Sequence, residues 1–150
     1  MGEPMDVRFA IALPRKAYTV AVMRDVMDEA LRSTDVCDGC RSDLLLAGSE
    51  ACANVIDHGH TAVGYNVVTR VLARYCEMEI AHTGPRFDPA QVPLPDLEAE
   101  SGRGILLMRA FVDQVTFGHD GAGTVVRLRK RLDCLRHPAR RQPRRPAGVG

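Results

Sequence analysis

A two-layer α+β sandwich, with helices on one face of a mixed, mainly antiparallel sheet, is the fold class this sequence predicts. Three observations carry it. The hydrophobic pattern switches between a two-residue and a 3.6-residue period in the order β-α-α-β-β-α-β-β. Two pairs of short β-type runs are separated by only a few residues and so read as hairpins. Finally, 150 residues with 45% hydrophobic and 26% charged side chains are enough to bury one core beneath such a sheet.

The elements follow in chain order. Val7 to Leu13 alternates as a strand, and Pro14 stops it. From about Tyr18 to Leu31, Val22, Val26, Met27 and Ala30 recur at helical spacing, with Arg24, Asp25, Asp28 and Glu29 on a polar face that the core does not need. Ser33 to Arg41 reads as a loop, after which Ser42 or Asp43 caps a long, largely apolar helix that ends near His58 at Gly59. Asn66–Ala73 and Cys76–Ala81 form one hairpin, and a Pro- and acid-rich loop, predicted to be mobile, spans Ala90 to Ser101. Gly102-Arg-Gly104 opens a helix over Ile105–Val112, and a second hairpin runs from Val115 to Arg129 around His119-Asp-Gly-Ala-Gly123.

Charge and cysteine usage narrow the class. Five of the twenty Lys+Arg follow the last acidic residue, Asp133, which leaves fifteen against nineteen Asp+Glu, a net −4, in residues 1–135. Residues 1–135 are therefore expected to form the domain, and 136–150, with three prolines and two glycines, a disordered Arg/Pro-rich tail. A solvated tail is favoured over one that contacts nucleic acid, because no aromatic residues are interleaved with the arginines. No apolar run of about 18 residues exists and the N-terminus lacks a signal-peptide pattern, so a cytoplasmic protein with no membrane partner is expected. Five scattered cysteines point to free thiols, and Cys37-Asp-Gly-Cys40 lacks the second pair that zinc would need.

The chemistry centres on the long helix. Glu50 and Asn54 are four residues apart and share a face, with Asp57 and His58 one turn further on, while Ala51, Val55 and Ile56 keep the remainder apolar. A carboxylate and an amide on a buried helix suit a cation or a phosphate; a stripe that merely meets water is the competing reading. Gly102 and Gly104 at a helix start let the backbone approach phosphate oxygens, and Arg103 adds charge, although glycines also serve close packing.

In order, Glu50-x-x-x-Asn54, His82-Thr-Gly84-Pro-Arg86, Gly102-Arg-Gly104-Ile105 and Gly123-Thr124 resemble the Bergerat-type (GHKL) ATP-binding fold. Within it the chain is most similar to the small anti-sigma-factor serine kinases of the SpoIIAB and RsbW kind, over roughly Val7 to Arg131. The resemblance implies the histidine-kinase-like ATPase fold and a protein serine/threonine kinase using ATP and Mg²⁺. Asn54 is then the Mg²⁺ ligand and Glu50 the base toward a serine hydroxyl. ATP would be held by Asn54, Asp57, His82, Gly84, Arg86, Gly102, Arg103, Gly104, Ile105 and Thr124, with 90–101 as the lid.

The implied partners are a sigma factor and an anti-anti-sigma factor, and the implied assembly is a homodimer. Partner contact is expected on the charged face of the first helix, with apolar neighbours such as Met23 as anchors if they are exposed. Two departures favour a second reading. The family has aspartate where this chain has His82, which offers the adenine amino group a single neutral acceptor, and Arg86 stands where glycine is usual. The alternative is a regulator of the same fold with weak or no ATP binding. A third reading is an α+β binding domain whose basic tail contacts nucleic acid.

Overall fold

The computed structural model describes residues 6–58, 63–83, 100–120 and 123–132. Their order is β1 (Asp6–Pro14), α1 (Thr19–Ser33), α2 (Asp38–His58), β2 (Gly64–Leu72), β3 (Tyr75–Thr83), α3 (Glu100–Phe111), β4 (Gln114–Asp120) and β5 (Gly123–Arg131). The five strands form one sheet in the order β1-β2-β3-β5-β4. This is the α+β class and element order that the sequence predicts. The pairing is simpler than the mixed sheet expected, since each of the four neighbouring pairs is antiparallel. β3 and β4 run in the same direction across the α3 crossover, but β5 inserts between them and takes both as antiparallel neighbours.

Strand alternation divides the sheet into two faces. Tyr65, Val67, Thr69 and Val71 of β2, with Cys76, Met78 and Ile80 of β3 and Val126 and Leu128 of β5, are buried under the helices. Pro14 is accommodated because β1 is an edge strand, where a missing N–H costs no ladder bond. α1 buries Thr19, Met23, Met27, Ala30 and Leu31. The sequence placed Val22 and Val26 on that buried side, yet they are exposed, and Met23, expected as an external anchor, is in the core. Two apolar stripes run along α1, and periodicity alone does not say which one meets the sheet.

α1 ends in a Schellman arrangement: Val36 N–H donates to Leu31 O at 3.1 Å and Asp35 N–H to Arg32 O at 3.2 Å. Asp35 takes the left-handed backbone this requires, with φ 61°. The chain then re-enters helix at Asp38, four residues before the predicted cap, so Asp38-Gly-Cys40 lies on the first turn of α2 with Cys37 directly before it. Cys37 is disulfide-bonded, which corrects the expectation of free thiols throughout; Cys40, Cys52 and Cys76 are buried thiols, with Cys40 Sγ 3.8 Å from Arg131 O. Burial raises the Cys52 and Cys76 thiols to about 12, so both are unreactive packing groups at neutral pH.

Asp28 also departs from the expected free polar face. It pairs with Arg41 of α2 at 2.6 Å and with Arg32 at 3.0 Å, so it fastens α1 to α2. Among the described residues no helix is long and apolar enough to cross a membrane. The predicted tail, 136–150, lies outside them.

Candidate functional site

α2 lies over the sheet with Leu44, Leu45, Ala47, Ala51, Cys52 and Val55 buried. Gly48 marks its closest approach, since a Cβ there would meet Met78 Sδ at 2.5 Å. That seating turns the opposite side of the helix toward α3. Glu50 and Asn54, both partly buried, reach the same point: a Cβ on Gly104 would lie 3.2 Å from Glu50 Oε2 and 3.5 Å from Asn54 Oδ1 and Nδ2. The polar stripe therefore faces the N-terminal half of α3 rather than bulk water. Asp57, one turn on, is exposed.

α3 begins at Glu100, earlier than the Gly102-Arg-Gly104 start read from the sequence. Gly104 is consequently the fifth residue of the helix, where a backbone N–H is directed to the carbonyl four residues back instead of to a ligand. Its role in this structure is proximity: the missing side chain leaves room for the Glu50 carboxylate and the Asn54 amide. Gly102 and Arg103 belong to the first turn, the region whose backbone donors lack intrahelical acceptors. Ile105 packs partly buried against the core, so it is a spacer in this arrangement.

His82 lies at the end of β3, paired in register with Tyr65, and is partly buried. Burial, and secondarily the Arg15 charge, lower its pKa below the ordinary 6.5, so the ring is neutral at physiological pH. Arg15 was not singled out from the sequence. It donates from Nη1 to Ile56 O at 2.8 Å, linking the turn after β1 to the last part of α2. The available signal was a basic residue directly after a strand-ending proline, but its contacts lie 41 residues away. Tyr65 completes the floor, with its hydroxyl 2.5 Å from Thr19 Oγ1.

Thr124 pairs with His119 near the turn of the β4–β5 hairpin. Gly84 and Arg86 lie outside the described residues. The structure thus brings Glu50, Asn54 and Gly104 together directly, with His82 and Arg15 near the end of α2. Among the described residues no group of three or more His, Cys, Asp or Glu side chains is placed to hold a metal. A divalent cation held here would take the Asn54 amide oxygen as its protein donor and draw the rest from phosphate and water, which suits Mg²⁺ and its preference for oxygen.

A model of the family described as "Histidine kinase-like ATPase domain" matches residues 13–130. The chain is 27% identical over 131 residues to the serine-protein kinase RsbW of Bacillus cereus (strain AH187), covering 79% of this chain and 82% of that protein. Its fold is similar, with a TM-score of 0.66 and 18% identity, to a crystal structure of the RsbU and RsbW domains of a Mycobacterium tuberculosis protein. That match covers 84% of this chain and 32% of the longer one, so the likeness is to part of a multidomain protein. With the family match spanning most of the sheet and all three helices, the chain belongs to the histidine kinase-like ATPase domain family.

Proposed function

We propose that this protein is an ATP-dependent serine-protein kinase that restrains a sigma factor and phosphorylates an anti-anti-sigma partner. The observation that carries the reading is the convergence of Glu50 and Asn54 on Gly104, because a general base and a metal-binding amide one turn apart are what phosphoryl transfer to a hydroxyl needs. The similarity to RsbW supports the partner classes, and by the same resemblance the active assembly is a homodimer acting in the cytoplasm.

Each residue has a distinct task in this reading. Glu50 accepts the proton of the serine hydroxyl as that oxygen gains the phosphoryl group. Asn54 presents its amide oxygen to the cation. When bound, Mg²⁺ offsets negative charge on the phosphates. Gly102 and Arg103, in the first turn of α3, meet the phosphate oxygens, and Gly104 keeps the Glu50 carboxylate and the helix backbone close. By the resemblance, contact with the base falls to His82, Gly84, Arg86 and Thr124, while Asp57 is exposed at the end of α2.

A second reading has its own observation. Neutral His82 beside Arg15 presents a weaker acceptor to an adenine amino group than a carboxylate would, which favours a partner-binding regulator with reduced ATP affinity. A calorimetric titration of the full chain with ATP, with and without Mg²⁺, separates the two. Mg²⁺-dependent binding followed by phosphate transfer to a purified anti-anti-sigma protein supports the kinase; sigma-factor binding without nucleotide binding supports the regulator.

A further inference from the structure

The face of the sheet turned away from the helices carries a cavity of about 380 Å³ that the kinase reading does not use. Two cross-strand rows build its walls. In one, Arg70 of β2, Glu77 of β3, Arg129 of β5 and Gln114 of β4 stand in register. In the next, Val68, Glu79, Arg127 and Thr116 do the same. A solvated ladder of ion pairs is the simplest account of such rows, and on β3 it holds: Arg127 Nε donates to Glu79 Oε2 at 3.1 Å, and Arg129 Nε lies 3.5 Å from Glu77 Oε1.

The ladder is incomplete toward β4. Arg70 is matched by Asp6 of β1 at 3.0 Å as well as facing Glu77, while β4 contributes the neutral Gln114 and Thr116 opposite the two β5 arginines. Arg127 Nη1 extends over β4, where a Cβ on Gly118 would lie 3.7 Å from it, so the terminal donors overhang a strand with no acidic side chain in these rows. Arg129 is fixed by stacking on the Tyr75 ring, 4.0 Å from its centroid. Its Nε is buried without a hydrogen-bond partner among the described residues. A guanidinium offers five N–H donors, and here each β5 arginine engages its glutamate through only one edge. On the β4 side the remaining guanidinium donors face only the uncharged Gln114 and Thr116.

We propose that this cavity binds a small oxyanion, a carboxylate or a phosphate group, seated between the Arg127 and Arg129 guanidinium groups and the Gln114 and Thr116 side chains. The opening suits a small molecule in size, and the guanidinium donors turned toward β4 suit a negatively charged acceptor. The site is on the opposite face of the sheet from Glu50 and Asn54, so its occupancy is independent of the kinase reading.

The test is an NMR titration of the isotopically labelled full chain with potassium phosphate and, separately, potassium acetate, at constant ionic strength. Saturable shifts of the Thr116 and Arg127 amides are expected with one of the two anions, which also identifies the group preferred. Arg127→Gln should weaken that binding about tenfold by removing a charge-assisted contact. Thr116→Glu supplies an internal carboxylate opposite Arg127, so it should abolish binding while leaving the fold at least as stable. The Thr116→Glu variant keeps the test decisive if Arg127→Gln unfolds. Shifts that never saturate with either anion, or saturation that survives Thr116→Glu, would overturn the proposal.

Discussion

Gly104 of α3 stands where a single methyl group would lie 3.2 Å from the Glu50 carboxylate of α2. Gly104→Ala therefore sets two effects against each other. Alanine favours the helix by about 1 kcal/mol over glycine, while the flexible end of Glu50 must move by a few tenths of an ångström. Thermal unfolding should show unchanged or slightly higher stability, and a transfer assay should show reduced phosphorylation because the base is displaced. A variant that unfolds at lower temperature would show that Glu50 cannot give way.

The roles assigned on α2 separate by readout. Glu50→Gln keeps shape and hydrogen-bonding capacity but cannot take a proton, so phosphate transfer should disappear while the fold and most nucleotide affinity survive. Asn54→Ala should weaken nucleotide binding chiefly when Mg²⁺ is present. Transfer that persists in the first variant, or an equal affinity loss without Mg²⁺ in the second, removes the corresponding role.

Gly48 is a packing position. A methyl group there would meet Met78 Sδ at 2.5 Å inside the core, so Gly48→Ala forces the methionine or the helix to shift. Overpacking typically costs about 1–3 kcal/mol, which exceeds the helix-propensity gain of about 1 kcal/mol. Urea denaturation should show a net loss of about 1 kcal/mol, and an unchanged midpoint would mean that the thioether repacks freely.

His82 links stability to pH. Burial, and then Arg15, hold its folded pKa below the ordinary 6.5, so the unfolded chain binds the proton more readily. The resulting stability is present above pH 6.5 and is lost as pH falls from there toward the folded value. Unfolding measured across that interval should show a slope that His82→Gln removes. His82→Asp should raise ATP affinity by restoring a charged acceptor, and more so with Arg15→Gln, which frees the carboxylate from the arginine.

On α1, Asp28 and its neighbours behave differently. Asp28→Arg takes the 2.6 Å partner from Arg41 and should destabilise by about 1 kcal/mol, because Arg41 is only 14% exposed but keeps Asp38 at 2.7 Å. Arg24 and Asp25 are exposed and can be reversed together without loss of stability. If α1 meets a sigma factor, stopped-flow association at low salt should slow about tenfold in that double variant.

The sequence exposed those parts of the fold that depend on local order. Strand alternation, the α2 apolar pattern and the Glu50–Asn54 spacing each survive in the structure, because each is decided within a few residues. Features set by distant neighbours were not legible. Val22 and Met23 are equally apolar, and only the position of the sheet decides which is buried. Asp28 reads as a surface charge until α2 brings Arg41 to it. Arg15 gains meaning from Ile56, and the disulfide state of Cys37 is not visible in its own neighbourhood of the sequence. Gly104 reads from the sequence as a phosphate-approach residue, and its proximity to Glu50, set by the packing of α3 on α2, is not legible there.

The insertion of β5 between β3 and β4 has a consequence for synthesis on the ribosome. β5 is the last of the described elements, yet it occupies an interior position and supplies Val126 and Leu128 to the core, with Leu132 directly after it. A nascent chain that has emerged only as far as β4 has no partner for that strand and an open side on β3. The sheet can close only after residue 131 clears the exit tunnel, and until then β3 and β4 each present an unpaired edge open to self-association.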